Sequence, residues 1–167
     1  MWNSQVIIML LEGIRDTLYM TLASTLFGYI IGLPMGIVLT VTDKDGIRPN
    51  AAVYKVLDVI SNLLRSIPFI ILLIVLIPFT RFVVGRSYGS TATIVPLTIA
   101  AAPYIARMVE SSLKEVDAGV IEAARSMGAS DFQIVTKVML VEARTSLIVG
   151  ATISLGTILG YSAMAGT

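Results

Sequence analysis

The sequence contains no cysteine and no histidine. The first absence excludes disulfides and thiolate chemistry, and the two together remove the usual ligands of zinc and its neighbours. Without histidine the commonest general acid–base group is missing as well. Charge is scarce: 14% of the 167 residues are charged and 56% are hydrophobic, whereas a soluble domain carries about a quarter charged residues. The net charge is +1, with no basic tail and no acidic block, which argues against nucleic acid as a partner. A mean hydropathy of +0.87 requires a second apolar solvent besides the core, and a lipid bilayer is the available one.

What charge there is lies clustered. Stretches 18–41, 66–80, 87–106 and 145–167 contain none. A helix needs about 20 apolar residues to cross a hydrocarbon core of about 30 Å. The first, third and fourth stretches meet that directly. The second meets it if Val59–Leu64 and Phe82–Val84 extend it while Arg65 and Arg81 snorkel outward. The expected architecture is an all-α integral membrane protein forming a single transmembrane domain, with spans at about 18–41, 59–84, 87–106 and 145–166. The first span does not read as a signal peptide: it lacks a basic leading segment and a small-residue cleavage site, and it is too long. Gly28, Gly32 and Gly36, and again Gly156 and Gly160, form small-xxx-small pairs, which predict helices packed closely on helices of this chain or of a second copy.

The loops alternate in charge. Segment 42–55 holds Lys44, Arg48 and Lys55, and segment 107–144 holds Arg107, Lys114, Arg125, Lys137 and Arg144; the opposite side has Arg15, Arg81 and Arg86. By the positive-inside rule the two richer loops face the cytoplasm, and the N-terminus lies outside. Asp43-Lys44-Asp45-Gly46 signals a turn. Val53, Val56, Leu57, Ile60 and Leu64 then follow at helical spacing, an interfacial helix leading into the second span.

Segment 107–144 is helical rather than loop-like. Glu110 and Lys114 stand at i, i+4 in the favourable order. Asp117 predicts the cap of a helix through Gly119–Met127, and Gly128 the left-handed residue that ends it. Ser130-Asp131-Phe132-Gln133 is a capping-box pattern opening the next helix. Val120, Ala123, Ala124 and Met127 form a small apolar ridge. Two readings fit that ridge: docking into a groove on another protein, and a hairpin resting on lipid headgroups.

The run Glu122-Ala123-Ala124-x-x-x-Gly128, followed by Val138-x-Leu140, resembles the EAA loop of ABC importer permeases. In that family Glu-Ala-Ala, three residues, Gly and nine further residues precede Ile-x-Leu-Pro; here Val138 replaces the Ile and Val141 the Pro. Further stretches are similar to the methionine-importer permeases within that family. They are Arg65-Ser66-Ile67-Pro68-Phe69-Ile70, Ile94-Val95-Pro96-Leu97, Ala102 to Glu110, and Gly160-Tyr161-Ser162-Ala163-Met164-Ala165-Gly166. Those permeases carry a fifth span after the last of these, so the resemblance implies one that this sequence stops short of, as a truncated chain would.

The resemblance implies a type I ABC importer permease fold in a bacterial inner membrane. It implies a non-catalytic homodimer subunit, with ATP hydrolysed by a cytoplasmic ATPase and an amino acid, methionine foremost, delivered by an extracytoplasmic binding protein. Another polar amino acid or small nutrient is the alternative substrate. Glu122, Ala123, Ala124, Met127 and Gly128 would couple the chain to the ATPase, and Tyr161, Ser162 and Met164 would line the substrate path. Tyr offers a ring with a polar tip and Met a polarizable surface for a thioether, though Met164 also reads as plain packing. Arg65 reads either as facing an aqueous vestibule or as snorkelling to the interface. No cofactor or metal is expected. A secondary transporter would place an acidic group deep in a span, and the charge-free stretches hold none. An enzyme would need a catalytic set that is missing here. A channel leaves the cytoplasmic hairpin without a purpose.

Overall fold

A computed structural model describes residues 4–165. Helix α1 (Ser4–Thr42) is followed by α2 (Ala51–Ser66), α3 (Phe69–Val75), α4 (Ile77–Val84) and α5 (Ser90–Lys114). Next come α6 (Ala118–Ser126), α7 (Asp131–Gln133), a π-helical turn (Ile134–Met139), α8 (Leu140–Glu142) and α9 (Arg144–Met164). Among the described residues α1, α5 and α9 are long and apolar enough to cross a membrane. A fourth crossing is counted if α2 and α3, a bent pair, are one span. Gly166 of the Gly160–Gly166 motif, and the end of the expected fourth span, lie outside the described residues.

Helix α5 is the hub. In its most apolar window 67% of residues are buried, against 28% in α1 and 22% in α9. Pro96 and Pro103 sit inside it without breaking it, both buried, as neighbouring helices permit in membrane proteins. The α1–α5 seam explains the first glycine series. A Cβ on Gly32 would stand 2.7 Å from the Ala102 carbonyl oxygen and 2.8 Å from Ile105 Cβ, and one on Gly36 2.7 Å from Val109 Cβ. Only a residue without a Cβ lets the two backbones come this close. Among the described residues nothing lies within 4 Å of such a Cβ on Gly156 or Gly160, so that pair packs against none of them.

Three boundaries differ from expectation. Helix α1 begins at Ser4 rather than near Leu18, because Glu12, Arg15 and Asp16 are charged without being helix breakers, and at about 1.5 Å per residue it outruns the bilayer core. Asp16 is used: Ser90 Oγ donates to its Oδ2 at 2.7 Å, tying α1 to the first turn of α5. Helix α5 likewise runs past Ala106 to Lys114, so Arg107–Lys114 continues the helix of the third span rather than opening the separate coupling segment expected at 107–144. The expected second span is broken, not continuous. Ile67 is extended (φ −82°, ψ 123°), as the residue before a proline must be, and α2 and α3 meet at 103°. A second break falls at Leu76, two residues before Pro78, which lacks the N–H to continue the ladder.

Helix α2 is inverted relative to a soluble helix. Val56, Val59, Ile60 and Leu63, one stripe at i, i+3, i+4 and i+7, are exposed, while its one buried residue is Ser61. Such a helix suits a lipid interface. Asn50 caps it, accepting from Val53 N at 3.1 Å. The preceding turn is fixed by Gly46 N donating to Asp43 O (2.9 Å) and Arg48 N to Val41 O (3.0 Å).

Candidate functional site

The hairpin after α5 is built by local chemistry. Asp117 Oδ1 accepts from Gly119 N at 2.7 Å and starts α6. Gly128 takes φ +84°; its N–H donates to Arg125 O (2.9 Å) and that of Ala129 to Ala124 O (3.1 Å). Those two bonds form a Schellman motif, which satisfies carbonyls the helix end would leave bare. Ser130 and Gln133 complete a reciprocal capping box, Gln133 N donating to Ser130 Oγ at 3.3 Å and Ser130 N to Gln133 Oε1 at 2.9 Å. The π-helical turn then carries Ile134, Val135 and Met139 inward, so the returning helical arm of the hairpin is anchored in the core.

The apolar ridge divides between two faces. Ala124 is turned inward, 6% exposed, into the cluster of Ile105, Val109, Leu113, Ile134 and Met139. Val120, Ala123 and Met127, at i, i+3 and i+7, remain on the outer face beside exposed Glu122. Met127 is 81% exposed and Phe132, which the sequence reading passed over, 77%. An aromatic in the first turn after a capping box was the available signal, since it cannot fold back onto its own helix there.

Near the other end of α9, Tyr161 stacks on Phe69, ring centroids 4.9 Å apart and planes 11° from parallel. The pair lines a cavity of about 220 Å³ with Arg65, Ala100 and Tyr104. Ser162 is buried toward α1, its hydroxyl donating to Leu159 O at 2.8 Å, and so is occupied by its own helix. Met164 is 59% exposed. The three expected path residues therefore do not converge on one cavity within this chain; Tyr161 and Arg65 do.

An ion cluster where α2 meets α5 was legible only in part. Glu110, its side chain 6% exposed, accepts from Arg107 Nη1 (2.7 Å) and Lys114 Nζ (2.8 Å), and from the Tyr54 hydroxyl (3.2 Å). Arg107 Nη2 pairs with Asp58 of α2, and Lys114 Nζ with Asp43 of the α1–α2 turn at 2.7 Å. The hydrogen bond from Lys114 holds the Asp43 carboxyl below the usual carboxylate range. From α6, Arg125 Nη2 donates to Ile47 O of the same turn at 2.9 Å. Spacing revealed the Glu110–Lys114 pair; Asp58, Asp43 and Ile47 come from distant sequence, and only the fold brings them in.

This arrangement has close relatives. Residues 8–167 match the family described as binding-protein-dependent transport system inner membrane component. The D-methionine transport system permease protein MetI of Salmonella typhimurium is 54% identical over 158 residues, covering 95% of this chain and 73% of that protein. The protein of the same name from Escherichia coli K12 matches to the same extent. A solved inward-facing conformation of the MetNI methionine ABC transporter superimposes with a TM-score of 0.96 at 52% identity, over 99% of this chain and 76% of the matched one. An amino acid ABC transporter solved with histidines, 20% identical with a TM-score of 0.73, shares the fold. All-helical, membrane-apolar and matched over nearly its whole length, the chain belongs to the binding-protein-dependent transport system inner membrane components.

Proposed function

We propose that the chain is the permease subunit of an ATP-driven importer for methionine. The observation that carries this is the capped hairpin around Gly128, bearing the Glu122–Gly128 pattern, in a chain 54% identical to D-methionine permeases. Two copies form the path. A cytoplasmic ATPase docks on each hairpin through Val120, Glu122, Ala123 and Met127, and an extracytoplasmic binding protein delivers the amino acid. Glu122 bonds at the ATPase groove, Ala123 keeps that face thin, Ala124 seats the helix on its own core, and Gly128 makes the turn. The N-terminus lies outside, because Lys44, Arg48 and the basic residues of 107–144 are held inside.

Closure of the ATPases draws the two hairpins together and turns the path from inward- to outward-facing. Moving such an equilibrium from 1:99 to 99:1 takes about 5.5 kcal/mol of differential binding. Tyr161, stacked on Phe69 beside Arg65, presents a ring and a cation to a zwitterionic, thioether-bearing substrate, with exposed Met164 completing the path once the second copy is in place. The test is co-expression with the ATPase and binding protein of a methionine importer. The chain should retain the ATPase through purification, and vesicles should take up methionine on addition of ATP. A chain that purifies without an ATPase and transports on an ion gradient would overturn the proposal.

A further inference from the structure

The ion cluster at the α2–α5 junction has no part in docking or in lining the substrate path. Two features separate it from an ordinary solvated staple. First, its central members are withdrawn from water: side-chain exposure is 17% for Arg107 and 6% for Glu110. Second, α2 has little else to hold it, since Ser61 is its one buried residue and its apolar stripe faces outward. An element with so few buried apolar contacts is positioned by its directional contacts. Here those are Tyr54 to Glu110 and Asp58 to Arg107, with Asn62 Oδ1 also accepting from Arg107 Nη2 at 3.3 Å.

The contacts form a continuous route. Arg125 joins α6 to the α1–α2 turn, Lys114 joins that turn to Glu110, and Arg107 joins Glu110 to Asp58 on α2. Helix α2 leads across the break at Ile67 into α3, where Phe69 stacks on Tyr161. We infer that Arg107 and Glu110 are positioning residues that make α2 follow the coupling hairpin, so that hairpin movement reaches the Phe69–Tyr161 stack. This rests on the importer reading above.

The test uses the assembled transporter in proteoliposomes. Arg107→Ala and Asp58→Asn should leave ATPase binding intact and ATP hydrolysis within about two-fold of wild type. Methionine uptake should fall tenfold or more, so that ATP consumed per substrate rises. Arg107→Lys, which keeps the charge, should retain at least half of wild-type uptake. Uptake and hydrolysis falling in proportion, or unchanged uptake, would overturn the linkage. A second arm does not depend on transport. The sequence has no cysteine, so a pair of spin labels can be introduced at Val56 on α2 and Ser126 on α6. The inter-label distance should be narrow in the parent and broad with Arg107→Ala; equal widths would sink the linkage. If wild-type vesicles show no ATP-dependent uptake, the importer reading fails while this distance measurement still decides the linkage.

Discussion

Glu110 and Glu122 sit only three helical turns apart in sequence terms, yet their burial predicts opposite behaviour. Glu110 is enclosed by two cations and a tyrosine hydroxyl. Removing one member of a buried cluster leaves its partners uncompensated, a loss of about 3–5 kcal/mol, scaled down here because Lys114 is 41% exposed. Glu110→Leu should therefore lower the melting temperature of the detergent-solubilised protein by several degrees. Glu122→Gln, on the exposed outer face, should leave melting unchanged and reduce uptake; a matching drop in both would contradict its assignment to docking. Asp43 gives a pH prediction. Its folded pKa is depressed, so its contribution is present above its unfolded value of about 3.9 and is lost as pH falls through the lower folded one. Asp43→Asn should lower melting at pH 7 and flatten the decline below about pH 4. At this scale the caps were legible, because Asp117, Gly128 and the Ser130–Gln133 box act within a few residues of themselves. The inward turn of Ala124 and the partners of Arg107 were not, because each depends on a residue from a distant segment.

Among the elements, the glycines of α1 and α9 separate what packs inside the chain from what does not. Gly32→Val would force a side chain into the Ala102 carbonyl and Ile105, splaying α1 from α5. Expression and monodispersity should collapse. Gly160→Ala meets nothing within 4 Å among the described residues and should leave the folded chain unaltered; loss of dimer with the fold intact would identify that face with the second copy. Gly128 holds φ +84°, where a β-branched residue costs on the order of 1–3 kcal/mol. Gly128→Val should abolish uptake without preventing membrane insertion, measured by membrane fractionation beside transport; wild-type uptake would remove the turn from the coupling account. Long charge-free runs made α1, α5 and α9 readable as crossings. Their ends were not, since Arg15, Asp16 and Arg107 lie within helices rather than beyond them, Asp16 held by Ser90 and Arg107 by Asp58 and Glu110. The break at Ile67–Pro68 was readable as a proline effect, but its 103° angle depends on how Phe69 seats against Met20, Leu97 and Tyr161.

At the scale of the whole molecule, Asp16 and Glu110 lie within the long helices but are engaged by Ser90 and by Arg107 and Lys114, which fits the proposal that energy enters from outside the membrane. In the proposed reading the hairpin receives that energy, held in shape by its caps and anchored through Ile134, Val135 and Met139. The central claim is that ATP hydrolysed by a separate subunit drives methionine through this chain by way of that hairpin. It is tested most directly by loading methionine against purified proteoliposomes containing the chain, its ATPase and its binding protein, with and without ATP, in the absence of any ion gradient. The account predicts uptake only with ATP, and none when Gly128→Val replaces the wild-type chain. ATP-independent uptake, or uptake that survives that substitution, would contradict it.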